Sequence, residues 1–212
     1  MVGALGEAVA IGAVAGLARP GGNVTGLSFF VLELNAKRLE VLKEALPRLP
    51  RVGVLLKRDN PVNAPLLREM EQAAQALKLQ LQPVEVREPA DLENAVSALV
   101  KGQAGAIAVQ EEAMLIAQSA RIADLARTHQ LPTIGFVEYA RAGGLLAFGV
   151  NFPDLWRRAA GLVDKILRGA RPADLPVERA TKFELLINLK TAKALGLTIP
   201  PSPLVRADQI IK

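Results

Sequence analysis

The sequence predicts an α/β protein built on a doubly wound parallel sheet, and three observations carry that prediction. Five short apolar runs rich in Val, Ile and Leu recur along the middle of the chain, and apolar runs of this length suit strands covered on both faces. The segments between them carry apolar residues at helical spacing. The connections are short and punctuated by Asn, Asp, Gly and Pro, so strand and helix alternate as they do in α/β sheets.

The elements follow in order. Residues 1–17 are small and mostly apolar, but Glu7 interrupts the run and no basic residue precedes it, which makes a poor export signal. Residues 23–28 (NVTGLS) read as a strand. Residues 29–46 read as a helix with Leu39, Leu42 and Leu46 turned inward. The first central strand is 51–56 (RVGVLL), closed by Asp59-Asn60-Pro61. Asn63 is expected to cap a helix whose stripe is Leu66, Met70, Ala73, Ala74 and Leu77. A second strand, 81–86, leads to a helix opened by Pro89, with Leu92, Ala95, Val96, Leu99 and Val100 in register and Gly102 as its stop. Strand 106–110 precedes a helix over 113–128, and strands 133–136 and 145–150 complete the set.

Asp154 is expected to cap a helix carrying Leu155, Ala159, Leu162, Val163, Ile166 and Leu167, with Gly169 and Pro172 ending it. Residues 183–189 (FELLINL) read as a strand leading to a short helix that ends at Gly196, and Pro200, Pro201 and Pro203 as an extended tail. Right-handed crossovers favour the flavodoxin-like strand order 2-1-3-4-5 over 49–150. The flanking pieces are too few for a sheet of their own, and their apolar stripe and open strand edges predict a homo-oligomer.

The chemistry expected of an enzyme is missing from the sequence. No Gly-rich phosphate loop or nucleophile elbow follows a strand. With no cysteine and one histidine, His129 at a helix end, no zinc set, cofactor or triad is expected. The net charge of +5 is spread among acidic neighbours and does not form a nucleic-acid surface. Ligands of open α/β sheets bind outside the strand C-termini. Those ends offer Asp59 and Asn60, Gln110 and Glu111, Phe136, Glu138 and Tyr139, and Asn151. The polar groups among them can hydrogen-bond a small molecule, and Phe136 or Tyr139 can pack on its apolar part. An acidic helix N-terminus explains Glu111 equally well.

Several stretches carry a family resemblance. Residues 17–27 (LARPGGNVTGL) resemble the inter-domain segment of substrate-binding proteins of ABC transporters, in the group that includes tryptophan-type binders. Residues 38–47 (RLEVLKEALP), 131–149 (LPTIGFVEYARAGGLLAFG) and 181–201 (TKFELLINLKTAKALGLTIPP) are similar to further blocks of that group. Two positions depart from it: Leu56-Lys57-Arg58 stand before Asn60, and Ala147-Phe148 replace the common Ser-Tyr before Gly149.

The resemblance implies a type I periplasmic-binding fold of two lobes, with a solute held in the cleft between them and no catalysis. It divides the chain into 1–48, a remnant of the N-terminal lobe and hinge; 49–150, the C-terminal ligand-binding lobe; and 151–212, a crossover helix, hinge strand and tail. Most of the N-terminal lobe and the export signal are expected to be absent. The implied partners are a small-molecule solute such as an amino acid and, for an exported full-length protein, an ABC permease. The implied location is periplasmic or membrane-anchored. Rival readings are a ligand-sensing regulatory domain of the same fold, a Rossmann- or flavodoxin-like enzyme, and a truncated product that has lost its ligand.

Overall fold

The computed structural model describes residues 2–5, 7–9, 11–29 and 31–212. Of the expectations above, parts of the apolar segment 1–17 (Met1, Gly6 and Ala10) and Phe30 near the start of the first helix lie outside the described residues. In chain order the elements are β1 (Val2–Leu5), β2 (Thr25–Ser28), α1 (Val31–Ala45), β3 (Arg51–Lys57), α2 (Asn63–Ala76), β4 (Gln80–Val86), α3 (Leu92–Lys101), β5 (Ala106–Val109), α4 (Ala113–Ala117) and α5 (Ser119–Thr128). They continue with β6 (Thr133–Gly135), α6 (Val137–Arg141), β7 (Leu146–Val150), α7 (Phe152–Leu167), β8 (Glu178–Arg179), β9 (Phe183–Asn188), α8 (Leu189–Ala194), α9 (Pro201–Arg206) and β10 (Gln209–Ile211). The chain divides into two compact units, 33–149 with 184–212 and 1–32 with 150–183.

The larger unit is built on a seven-stranded sheet in the order β10-β9-β7-β6-β5-β3-β4. Strands β3 to β7 keep the expected 2-1-3-4-5 order, with β4 at the sheet edge and parallel registers such as Val52↔Leu81, Val52↔Ala106 and Ile134↔Leu146. The continuous apolar runs have their cause here, because both faces are covered. Val52, Val54, Leu55 and Leu56 of β3 are all buried, as is every residue of β5. One face packs a core of Leu92, Val96 and Leu99 from α3, Leu115 from α4 and Ile122 from α5 against Leu55, Ile107 and Val109.

Several local expectations are corrected. Residues 183–189 do not lack a parent sheet: β9 joins the large sheet beside β7, and β10 pairs with it in parallel (Ile210↔Ile187). The three prolines do not make an extended tail. Pro201 occupies the first turn of α9, where a missing N–H costs nothing, and the chain then turns into β10. The helix expected over 113–128 is broken at Gln118, and the Ser119 hydroxyl donates back to the Ile116 carbonyl at 2.7 Å. Asn63 is not a cap: its amide donates to the Lys57 carbonyl at 2.8 Å, and Asn60 Oδ1 accepts from the Val62 N–H instead.

The smaller unit holds a three-stranded sheet, β1-β2-β8, parallel throughout, with α7 packed on β1 and β2. β1 and β2 come so close at Gly26 that a Cβ there would stand 1.9 Å from the Gly3 carbonyl oxygen, and the φ of +150° also favours glycine. Asn151 rather than Asp154 caps α7, accepting the Asp154 N–H at 2.8 Å. Among the described residues no helix is long and apolar enough to cross a membrane.

Candidate functional site

The C-terminal edge of the large sheet gathers most of the nominated residues, and the order reverses there at β3, which pairs with β4 on one side and β5 on the other. Such a reversal opens a crevice in α/β sheets. In this protein Gln110 closes it. Its Oε1 accepts the Lys57 N–H at 2.8 Å and its Nε2 donates to Asn63 Oδ1 at 2.8 Å, while Asn63 returns its own amide to the Lys57 carbonyl. Gln110 is 2% exposed, so its polar atoms serve as a brace between β3, β5 and the start of α2.

Glu111, the next residue, meets a partner that sequence reasoning missed. Arg38 of α1 donates to Glu111 Oε2 at 2.6 Å, to the Phe148 carbonyl within β7 at 2.7 Å and to Asn35 Oδ1 at 3.3 Å. One guanidinium thereby ties α1 to the end of β5 and to the middle of β7. The side chains of the pair are 0% and 2% exposed. Removing one partner of so buried an ion pair typically costs about 3–5 kcal/mol, since the other charge is left desolvated. Glu111 Oε1 finds no partner among the described residues and is fully buried. The available signal was the position of Asn35 and Arg38 one turn apart, in line with buried Leu42 and Ala45 on the inner face of α1.

The remaining nominees fall into three groups. Asp59 is exposed in a turn with φ +62°, and half-buried Asn60 spends its carbonyl oxygen on that turn. Phe136 and Tyr139 are corrected outright as ligand-packing residues. Both are completely buried and pack on each other with ring centroids 5.8 Å apart. Gly135 and Gly144 flank the Tyr139 ring so closely that a Cβ at either would come within 2.9 Å and 2.3 Å of it. The Tyr139 hydroxyl faces Thr133 without a well-formed hydrogen bond, and burial pushes its pKa well up. Asn151 belongs to the smaller unit, where it caps α7.

Glu138, in the first turn of α6, is half-buried and makes no ion pair among the described residues. Burial raises its carboxyl pKa first. The negative charges of Glu111 and Glu184 add to the rise, against an opposing pull from Arg141 and from its own backbone N–H. Arg141 itself stands 3.8 Å from Glu184. A cavity of about 720 Å³ lies at the opposite end of the sheet, lined by Arg51, Gln80, Gln82 and Gly102 where β3 and β4 begin. Arg51 already donates to Gln80 and to the Gly102 carbonyl there, so that hollow offers little free chemistry. The C-terminal edge, with its buried ion pair and spare carboxylates, remains the better candidate.

Comparison with known proteins bears on this arrangement. The family model described as ABC transporter substrate binding protein matches residues 1–211. The chain is 26% identical over 192 residues to the tyrosine-binding protein of Clostridioides difficile, covering 90% of this chain and 55% of that one. The chain therefore spans about half the length of this curated relative. A crystal structure from Streptococcus pneumonia, an ABC domain in complex with L-Trp, superposes with a TM-score of 0.86 at 25% identity, over 96% of this chain and 70% of that one. A conserved domain protein from Vibrio cholerae gives a TM-score of 0.89 at 24% identity, over 99% and 77% of the two chains, a likeness of fold.

Proposed function

The chain belongs to the ABC transporter substrate binding protein family, and from that premise we propose that it is the solute-binding component of an ABC importer, holding an amino acid or a similar small molecule. The family is one of binding proteins rather than enzymes. The observation that carries the reading is the set of charged groups at the strand C-termini of the larger unit, above all the buried Arg38–Glu111 pair with an acceptor to spare. A fold needing only stability is served as well by apolar residues at such a place. The tyrosine-binding relative and the L-Trp complex direct the choice of solute toward amino acids with a large apolar side chain. In this reading the protein works outside the cytoplasmic membrane and delivers its solute to a permease.

A thermal-shift screen of the twenty amino acids against a sugar set tests the proposal. A ligand at a hundredfold excess over its Kd stabilises the folded state by about 2.7 kcal/mol. An amino acid giving a saturable shift is the expected result. A sugar as the sole stabiliser, or no stabilising solute at all, would overturn the reading.

A further inference from the structure

We propose that the hollow beside the N-terminal half of β4 is a docking groove for an extended acidic segment of a partner protein, which adds to the sheet as a short strand at Leu81. The proposal stands apart from the solute-binding reading, at the other end of the sheet. β4 is the edge of the larger sheet and pairs only with β3. The ladder fixes which way each of its residues faces. The Gln80 N–H donates to the Pro50 carbonyl at 2.9 Å and the Arg58 N–H to the Val86 carbonyl at 2.8 Å, so Gln80, Gln82, Val84 and Val86 turn their main chain to β3. Leu81, Pro83 and Glu85 turn theirs outward. This outward row is closed at both ends, where the Leu79 N–H donates to the Ala74 carbonyl and the Arg87 N–H to Asp91 Oδ2, each at 2.8 Å. Pro83 has no N–H to offer, which guards the middle of the edge. A short window stays open, and within the hollow its complete donor–acceptor pair is that of Leu81.

The lining of the hollow suits an extended acidic peptide. Side-chain donors of Arg51 are spent on Gln80 and the Gly102 carbonyl, but those acceptors are neutral and leave its charge uncompensated. Arg51 and Gln80 also line an adjoining hollow of about 230 Å³, together with Lys78 and Gln103. Neither Arg51 nor Lys78 forms an ion pair among the described residues. Against these two cations the lining sets Glu71 alone, so a segment bearing carboxylates supplies the missing countercharge. Gln82 adds an acceptor: its Nε2 donates to the Ala98 carbonyl at 3.1 Å, while its Oε1 is buried and without a donor. A peptide N–H is the donor such an atom lacks. Strand addition draws affinity from the main chain and specificity from the flanking side chains, and both are present here. A second copy of this chain fits less well. Two β4 edges related by a two-fold axis would oppose the outward row to itself, with Pro83 withholding a donor on each side.

The test uses the 212-residue chain and fluorescence anisotropy with labelled nonapeptides. The probes are an acidic peptide of alternating Glu and Val, its Lys and Val counterpart, and two forms of the acidic peptide N-methylated on the odd or on the even backbone nitrogens. The acidic peptide is expected to bind about tenfold more tightly than the basic one. One methylated form is expected to bind about tenfold more weakly than its parent, because only one edge of the added strand meets β4. Leu81→Pro removes an N–H that the fold does not use and is expected to weaken the acidic peptide by a similar factor. Lys78→Glu is expected to reduce the preference for the acidic peptide over the basic one. Circular dichroism verifies that each variant is folded, and the methylated peptides decide the matter if Leu81→Pro is not. Equal binding of the acidic and basic peptides, equal binding of all three acidic forms, full affinity in a folded Leu81→Pro variant, or no binding at all would overturn the proposal. Self-association of the wild type that Leu81→Pro abolishes would overturn it too, by giving the edge to a second copy.

Discussion

Glu138 is the residue at which burial and ionisation pull in opposite directions. Its carboxyl pKa is raised, by burial first and by Glu111 and Glu184 next, so the folded state holds its proton to a higher pH than the unfolded chain does. Between the ordinary glutamate range and that raised value the folded state binds more protons. Stability therefore falls as pH rises through that window. Glu138→Gln removes the ionising group, so its melting temperature is expected to exceed that of wild type at pH 7, with the difference closing below the ordinary glutamate pKa. Melting curves from pH 3.5 to 8 check this, and a variant less stable than wild type at pH 7 would contradict the electrostatic account. Arg38 shows the other residue-scale lesson. Its charge is useful in the interior only because Glu111, Asn35 and the Phe148 carbonyl were assembled around it.

Among the elements, α7 turns on a single side chain. Asn151 caps it and Pro153 sits in its first turn, where a ring is tolerated. Leu155, Ala159 and Leu162 are buried, and α7 packs on β1 and β2, so the helix has kept a sheet to cover. Asn151→Ala is expected to destabilise the protein by about 1 kcal/mol, the usual value of a lost cap. Chemical denaturation of the unliganded variant measures it. A loss near zero would free Asn151 for the ligand-contacting role that its place after a strand suggested. The neighbouring face of α7 is different: Trp156, Ala160, Val163 and Leu167 follow one another at spacings of four, three and four, all exposed, with Leu167 at 82%.

For the molecule as a whole, that stripe and the open edges of the three-stranded sheet decide the expected state of assembly. Antiparallel pairing of α7 with α7 of a second copy would cover Trp156 with Leu167 and bring Arg157 near Asp164 of the other chain, so apolar and charged positions agree. A dimer is therefore expected at micromolar concentration, converted to monomer by Leu167→Lys with Trp156→Lys. Sedimentation velocity over a concentration series reads this directly, and a wild-type monomer throughout would refute it. Burial of each large apolar side chain contributes about 1.5–3 kcal/mol, comparable in sum with a domain's whole stability.

What the sequence by itself determined was the register of local choices. The apolar runs 51–56, 81–86, 106–110, 133–136 and 145–150 became β3 to β7 within a residue or so; burial on both faces leaves its mark on the composition of strands such as β3, β5 and β6, while β4 at the sheet edge stays partly exposed. Their order followed from crossover handedness. The strand C-terminal ends were legible for the same reason, and Gln110, Glu111 and Glu138 lie there by chain geometry alone. Tertiary structure alone decided how each polar group is used. Nothing in the spacing of Gln110 and Asn63 says that they brace each other across 47 positions, or that Arg38 crosses to Glu111. Nor could FELLIN name its sheet: alternation specifies a strand but not its neighbour, and β9 joined β7 because an apolar edge was open there. Hydrophobic burial acts on each residue's own chemistry and is readable in one dimension. Hydrogen bonds and ion pairs depend on two distant partners meeting at about 3 Å, which only the folded chain arranges.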